Sequence, residues 1–266
     1  MNLYYAPIIL LRGRSTAFVL LLLLLLMALC LNGCAGFFQP PASDESAAQL
    51  VAQWRGQNKE LTRFKGIFRI RIQTKDQTLN LRAALAAALP DRLRVELLNP
   101  LGQPLSSLAS DGAQISIVSM EDRKYYHVKQ SPTALEPFIH IPIGVEALLE
   151  TLCGRPALPD FTVVRWAQGD NGTKAVILKD RWNNPLADLQ ADDSGRIQCL
   201  RRFDPDHKIE YEAHWQEWRS IQGYDLPVQV QVKSPDGDAV TWSMERLWTN
   251  VELPPQTFVL EPPQGP

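Results

Sequence analysis

The chain has 266 residues, of which 45% are hydrophobic and 21% charged, and its formal net charge is −2. A chain of this length and apolar content can bury a large core, which excludes wholesale disorder. Its 27 basic residues do not outnumber its 29 acidic ones, so we do not expect a nucleic acid as partner.

The N-terminal region has the pattern of a secretion signal. An uninterrupted apolar run extends from Ala17 to Leu31 and is preceded by Arg12 and Arg14, without an acidic residue. A transmembrane anchor is the alternative, but a span of the bilayer takes about 20 apolar residues, and this run is shorter. We therefore predict a signal peptide over residues 1–33.

The end of the apolar run resembles the lipobox of bacterial lipoproteins. Leu31, Gly33 and Cys34 match that pattern, which implies that Cys34 is lipidated and becomes the new N-terminus. Several acyl chains form a durable membrane anchor. In such lipoproteins, a residue other than Asp after the cysteine, here Ala35, usually implies export to the outer membrane. The resemblance thus implies a lipid-anchored protein of the outer membrane that faces the periplasm, with a lipidated tether over residues 34–43.

The remainder, residues 44–266, has the pattern of a single domain that is mainly β, of the α+β class. A helix is predicted to begin at Ser43 or Asp44, and a second one over Gly144–Gly154, where Val145, Leu148, Leu149 and Leu152 share one face. Segments of alternating polarity predict about ten strands. Those segments read GIFRIRIQT, TLNLRAAL, RLRVEL, AQISIVS, KYYHVK, FTVVRWA, KAVILKD, RIQCLRRF, KIEYEAHW, LPVQVQVK and AVTWSMERL.

Repeated hairpins with one apolar and one polar face predict a curved antiparallel sheet whose inner face must be covered. The second helix interrupts the strands midway and is the candidate cover. We predict an incomplete antiparallel β-barrel with helices over its concave face.

The chemistry of a catalytic or metal site is not visible in the sequence. None of the four histidines lies in a zinc motif or beside a nucleophile elbow. Cys153 and Cys199 have no histidine nearby at ligand spacing, and either a disulfide or two separate buried thiols fits them. The segment FDPDHK reads as a solvated turn. We expect no enzyme activity, no cofactor and no metal.

Several motifs, in order, resemble LolB-like outer-membrane lipoproteins of the LolA/LolB superfamily. They are RFKGIFRIRI, LLNPLGQPL, LLETLCGRPALPD, YDLPVQVQV and RLWTNVELPPQTFVLEPP, and they cover the chain from about Arg63 to Pro263. The resemblance implies a half-barrel with a helical lid and a hydrophobic cavity for acyl chains. It also implies a LolA-like periplasmic carrier as a partner, and in this family a protruding loop carries a leucine important for lipid insertion.

Candidate site residues follow from the strand faces and from this resemblance. The predicted cavity wall comprises Phe68, Ile70, Ile72, Leu93, Val95, Leu97, Ile115 and Ile117, and the predicted lid face comprises Val145, Leu148, Leu149 and Leu152. A dry core is the alternative for each wall residue. Leu101 and Leu105 are the candidates for the insertion loop, although the same segment also fits a tight hairpin bend.

Two functions of different class are compatible with these features. The first is a lipoprotein that binds the acyl chains of lipids or lipoproteins and inserts them in the outer membrane. The second is a non-enzymatic scaffold or binding subunit of a cell-envelope assembly, in which side chains fill the cavity. A large apolar pocket favours the first, and a solid interior favours the second.

Overall fold

A computed structural model describes residues 43–120, 124–169 and 173–262. The predicted signal peptide, the lipidation site Cys34 and the tether up to residue 42 lie outside this part of the chain. None of the helices in the described ranges is both long and apolar enough to cross a membrane.

The described residues form a long series of strands that is interrupted once by helices. The helices are α1 (Glu45–Gly56), α2 (Glu136–Ile139) and α3 (Val145–Leu152). The strands are β1 (Arg63–Gln73), β2 (Thr78–Ala88), β3 (Arg92–Leu98), β4 (Pro104–Asp111), β5 (Gln114–Ser119), β6 (Lys124–Lys129), β7 (Val163–Gln168), β8 (Lys174–Lys179), β9 (Pro185–Ala191), β10 (Ile197–Phe203), β11 (Ile209–Ile221), β12 (Tyr224–Lys233) and β13 (Ala239–Thr249).

All thirteen of these strands belong to one antiparallel sheet, in the order β6-β5-β4-β3-β2-β1-β13-β12-β11-β10-β9-β8-β7. The chain builds one half from β1 outwards to β6, crosses through α2 and α3, and builds the other half from β7 back to β13. Strands β6 and β7 are the two edges and do not pair with each other, so the sheet does not close. The predicted fold class is confirmed.

The N-terminal helix protects the edge strand β7. Asp44 precedes α1, and its backbone N–H donates to Val164 O at 2.8 Å, while its side-chain Oδ2 accepts from the backbone N–H of Trp166 at 2.9 Å. The Ser43 hydroxyl accepts from Val164 N–H at 3.0 Å. These bonds satisfy edge groups that another chain would otherwise pair with.

Helix α3 crosses the concave face and contacts β12 and β3. Gly154, two residues beyond the end of α3, has a φ of +75°, which suits a helix C-terminus. A β-carbon at this position would come within 2.6 Å of the Trp218 ring. Arg155, just beyond, forms an ion pair with Glu150 at 2.6 Å and donates to Asn58 O at 3.0 Å. The end of α3 is therefore tied to the connection between α1 and β1.

A C-terminal segment crosses the convex face. It contains a short 3-10 helix, Pro255–Phe258, that contacts β3 and β4, and Phe258 is buried there. Arg94 Nη1 donates to Val259 O at 3.2 Å. Ser107 and Ala109 of β4, which face away from the concave side, are buried as well.

Sequence patterns identified most, but not all, of these elements. Helix α1 begins within two residues of its predicted start, and α3 begins and ends within two residues of its predicted bounds. Strands β4 (PLSSLASD) and β9 (PLADLQA) were missed, because each opens with proline and mixes small and polar residues on both faces. The four-residue helix α2 was missed because it is too short for a helical period to show.

Candidate functional site

An apolar cavity of about 730 Å³ lies between the concave face of the sheet and helix α2. Strands β1, β3, β4, β5, β6 and β13 form its wall, and residues 135–139 with Leu148 form its cover. The apolar lining consists of Ile70, Ile72, Leu93, Val95, Leu97, Leu108, Ile117, Val128, Leu135, Pro137, Phe138, Ile139, Leu148, Val240 and Trp242. The volume falls within the range of about 300–1,000 Å³ that is typical of ligand sites.

Polar groups are few and lie to one side of this cavity. Ser106, Tyr126 and His127 contribute to the lining, and Tyr126 is 46% exposed on the edge strand β6. The cavity is therefore open to solvent near that edge. A chain of methylene groups gains free energy by leaving water for such an interior and needs no directional partner there.

Six of the eight predicted wall residues line the cavity: Ile70, Ile72, Leu93, Val95, Leu97 and Ile117. The other two, Phe68 and Ile115, share their face but lie in the solid core. The Phe68 ring packs edge-on against Trp242, with ring centroids 6.2 Å apart, and Ile115 is fully buried. The cavity thus occupies one part of the concave face rather than its whole length.

The predicted lid helix contributes one residue to the cavity. Leu148 of α3 lines it, whereas Leu149 and Leu152 pack in the core and Val145 borders a different pocket. Most of the cover comes instead from α2, through Phe138 and Ile139. The apolar pair after Pro137 was the only sequence signal for this element.

Helix α2 is held at both of its ends. Leu135 N–H donates to Ile143 O at 3.1 Å, and Ile143 itself is buried. At the other end, His140 takes up a left-handed conformation with φ of 55°, and its Nδ1 lies 3.7 Å from Asp238 Oδ2 in the β12–β13 turn. These contacts position Phe138 over the cavity.

The β3–β4 loop presents an exposed leucine beside the cavity wall. Leu101 is 84% exposed, whereas Leu105 is 38% exposed on β4. Asn99 organises the loop, because its Oδ1 accepts from the N–H groups of Leu101 and Gln103, each at 2.9 Å. Gly102 completes the turn with φ of +81°. Of the two candidates, Leu101 projects, and it does so from a turn that is both tight and protruding.

This loop lies at an end of the sheet that the cavity reaches. In an antiparallel meander, the β1–β2, β3–β4, β5–β6 and β12–β13 connections share one end. Ile72 and Leu97, which line the cavity, are each within two residues of the end of their strand. Met120, at the end of β5, adds a further exposed apolar side chain, and its N–H donates to Leu105 O at 2.9 Å.

A second, more polar pocket of about 550 Å³ lies between α3, residues 130–132 and the start of β11. Tyr211 lines it, and burial raises the pKa of this phenol to about 12. Arg202 and Glu210 lie beside it, 3.7 Å apart, and burial raises the pKa of Glu210. With its mixed charges this pocket is unlike the apolar cavity.

The two cysteines of the described residues are both free and buried, so they form no disulfide with each other. Burial raises the pKa of each thiol to about 12. Cys153 follows α3, and Cys199 lies on β10 with its side chain on the convex face beside His214. Burial likewise lowers the pKa of the His214 imidazole.

Comparison with known proteins identifies the fold. No protein-family model matches the sequence, and no curated protein matches it significantly. Solved structures do match. A protein of the DUF1329 family from Desulfovibrio piger superposes with a TM-score of 0.56 at 10% identity, over 82% of this chain and 98% of its own.

Two further structures match with a TM-score of 0.53. One, from Vibrio parahaemolyticus, is described as an outer membrane lipoprotein-sorting protein domain, at 10% identity over 80% of this chain and 96% of its own. The other is a LolA superfamily protein from Nitrosomonas europaea, at 12% identity over 80% of this chain and 97% of its own. The protein described here therefore has the fold of the LolA superfamily.

Proposed function

We propose that this protein is an outer-membrane lipoprotein that takes acyl chains of lipoproteins or lipids into its cavity and inserts them in the membrane. The observation that carries the proposal is the open apolar cavity of about 730 Å³ beneath α2. The scaffold alternative requires this space to be filled by side chains.

The chemistry of the cavity suits acyl chains better than polar ligands. Its walls are mainly aliphatic and aromatic, and of the three polar residues among them Tyr126 and His127 lie on the edge strand β6 and Ser106 lies on β4. Such an interior binds hydrocarbon by burial alone and is indifferent to the sequence of the attached protein. A LolA-like periplasmic carrier is the donor that fits this use.

The exposed loop supplies a route from the cavity to the bilayer. Leu101 lies at an end of the sheet that the cavity reaches, and it is held out by Asn99 rather than packed. Insertion of this leucine among lipids would bring the cavity close to the membrane surface. Lipidation at Cys34 would keep the domain there, facing the periplasm, and the role requires no catalytic group.

The test is transfer of a labelled lipoprotein from a LolA-like carrier to vesicles that bear the mature acylated protein. Ile117→Trp, which fills the cavity, should prevent release from the carrier. Leu101→Glu should permit release but slow insertion by roughly ten- to a hundredfold, since burial of a leucine contributes about 1.5–3 kcal/mol. Val259→Glu, at an apolar position that is 54% exposed in the C-terminal segment, is the matched control.

Transfer by wild type and by Val259→Glu, with loss in the other two variants, supports the proposal. If Ile117→Trp transfers as fast as wild type, the cavity is not the binding site. If wild type releases nothing from the carrier, the scaffold alternative is favoured instead.

A further inference from the structure

The convex face of strands β9–β12 carries two rows of polar side chains. In the first row, Asp188, Arg201, Glu212 and Lys233 are cross-strand neighbours and alternate in charge. Arg201 Nη1 lies 3.4 Å from Asp188 Oδ2, and Lys233 Nζ lies 2.9 Å from Glu212 Oε2. Arg201 Nε also lies 3.7 Å from Glu212 Oε1, so Glu212 is contacted by both cations of the row.

The second row is uncharged and lies on the same face, two residues further along each strand. It runs from Gln190 through Cys199 and His214 to Gln231, again as direct cross-strand neighbours. Cys199 and His214 face each other on β10 and β11, and Glu212 precedes His214 by two residues on the same face. A thiol, an imidazole and a carboxylate are thereby brought together by backbone register.

The donor atoms of these three residues lie close enough to share an ion. Cys199 Sγ, one carboxylate oxygen of Glu212 and one ring nitrogen of His214 all lie within 4.8 Å of one another, and His214 Nε2 is 2.9 Å from Glu212 Oε2. Tetrahedral zinc ligands at about 2.0–2.3 Å from the metal are roughly 3.3–3.8 Å apart, so small side-chain rotations suffice. None of the three side chains is on a loop.

We propose that Cys199, Glu212 and His214 form a binding site for a thiophilic divalent cation such as Zn²⁺ on the convex face. These three donor types are the ligands that zinc prefers in proteins. On binding, the Cys199 S–H bond breaks, its proton passes to the buffer, and the sulfur electron pair forms the bond to the metal. His214 Nε2, which donates to Glu212, gives up its proton while Nδ1 carries the proton of the neutral imidazole, and the hydrogen bond between His214 and Glu212 is replaced by two metal bonds.

Two neighbouring polar atoms are placed to form hydrogen bonds with a water that would be the fourth ligand of the metal. Gln190 Nε2 and Asp188 Oδ1 are buried on the same face and have no hydrogen-bond partner among the described residues. Gln190 is the direct neighbour of Cys199, and Asp188 lies in the adjoining row. A water on the metal has a lone pair for an amide N–H and a proton for a carboxylate oxygen, so it suits this pair of groups.

Lys233 is the competitor for this site. Its ammonium group contacts the same Glu212 oxygen that lies next to His214, but the side chain is 40% exposed. Its flexible stem allows the ammonium group to move into solvent when a divalent cation binds. Removal of this charge should therefore strengthen metal binding.

The test is titration of Co²⁺ into the mature acylated protein, which lacks Cys30 and has Cys34 blocked, in a reducing, non-chelating buffer. A thiolate bound to Co²⁺ absorbs in the near ultraviolet by charge transfer, so the band reports sulfur ligation directly. Wild type should develop this band at one equivalent and lose it when Zn²⁺ is added. Cys199→Ser should abolish the band, whereas Cys153→Ser, which removes the other buried thiol, should retain it.

Further variants test the other ligands without removal of the thiol. His214→Gln should weaken binding by about tenfold or more, since even indirect partners of a metal contribute that much. Lys233→Met should tighten it, and circular dichroism checks that each variant keeps its sheet. Absence of the band in wild type, its persistence in Cys199→Ser, or weaker binding by Lys233→Met would each overturn the proposal.

Discussion

The two halves of the sheet have the same strand pattern but differ in what lies on their concave face. Over β7–β12, helices α1 and α3 pack closely, and Trp54, Leu178 and Leu200 are at most 1% exposed, although the polar pocket of about 550 Å³ lies beside α3. Over β13 and β1–β6, the four-residue helix α2 leaves the cavity of about 730 Å³. At 1.5 Å per residue, α1 is about 18 Å long and α2 only about 6 Å. The two halves therefore differ in the length of the helices that cover them, and not in their strand pattern.

The strongest test of the difference between the solid and the hollow half is to replace a leucine by alanine in each. Leu200→Ala, in the solid half, creates a void in close-packed surroundings and should lower the free energy of unfolding by about 2–5 kcal/mol. Leu97→Ala, on the cavity wall, should cost roughly 1 kcal/mol, because that side chain already borders open space. Urea unfolding of both variants measures the difference. Equal costs would mean that the cavity is closed in solution.

Enlargement of a side chain tests the same contrast in the opposite direction. Val176→Phe, on β8 in the solid half, overpacks the core and should destabilise the fold by about 1–3 kcal/mol. Val95→Phe extends into the cavity and should cost less than about 1 kcal/mol, since there is room for the ring. Thermal unfolding compares them, and a larger cost at Val95 than at Val176 would contradict the hollow interior.

On the convex faces of the two halves, a carboxyl group should change the free energy of unfolding with pH in opposite directions. This effect should be smaller than those of the core substitutions. In the solid half, burial and the charge of Glu212 raise the pKa of Asp188 to about 6, although Arg201 lies near one of its oxygens. In the hollow half, hydrogen bonds from Arg69 and Arg82 lower the pKa of Glu245. The neutral form of Asp188 and the ionised form of Glu245 are thus the forms that the fold favours.

Stability from Asp188 is present below its ordinary pKa and is lost as the pH rises through about 6. Relative to Asp188→Asn in a chelating buffer, wild type should lose roughly 1 kcal/mol between pH 4.5 and 7.5. Glu245→Gln serves as the control of opposite sign, because stability from Glu245 is lost as the pH falls. Unfolding curves at several pH values test both, and parallel trends in the two variants would contradict the assignment.

Much of the fold was predictable from local patterns. Alternation placed Ile70, Val95 and Ile117 on one face of their strands, and the order of small motifs resembled the LolA/LolB superfamily, whose fold the structure has. Gly144 and Gly154 delimited α3 because glycine favours such helix ends. The weakly alternating strands β4 and β9 were not predictable, since mixed small and polar residues give no period.

The candidate site was predictable only in part. Strand faces distinguish inward from outward residues, but not a cavity wall from a packed core, which is why Phe68 and Ile115 were predicted as wall residues. The cover by Phe138 and Ile139 depends on where a short helix rests, and no local pattern encodes that. The proposed metal ligands were missed for a related reason, because Cys199 and Glu212 are separated along the chain and meet only through strand pairing.

By itself, the sequence determined most of the strands, which of their faces is apolar and where the two longer helices lie. Each of these depends on neighbours along the chain, through the periods of two and 3.6 residues and the turn chemistry of glycine and proline. Only the tertiary structure decided which part of the concave face stays open, that Leu101 projects beside it, and which polar side chains meet on the convex face. Those outcomes depend on long-range register and on the placement of short covering segments, which residues distant in sequence decide together.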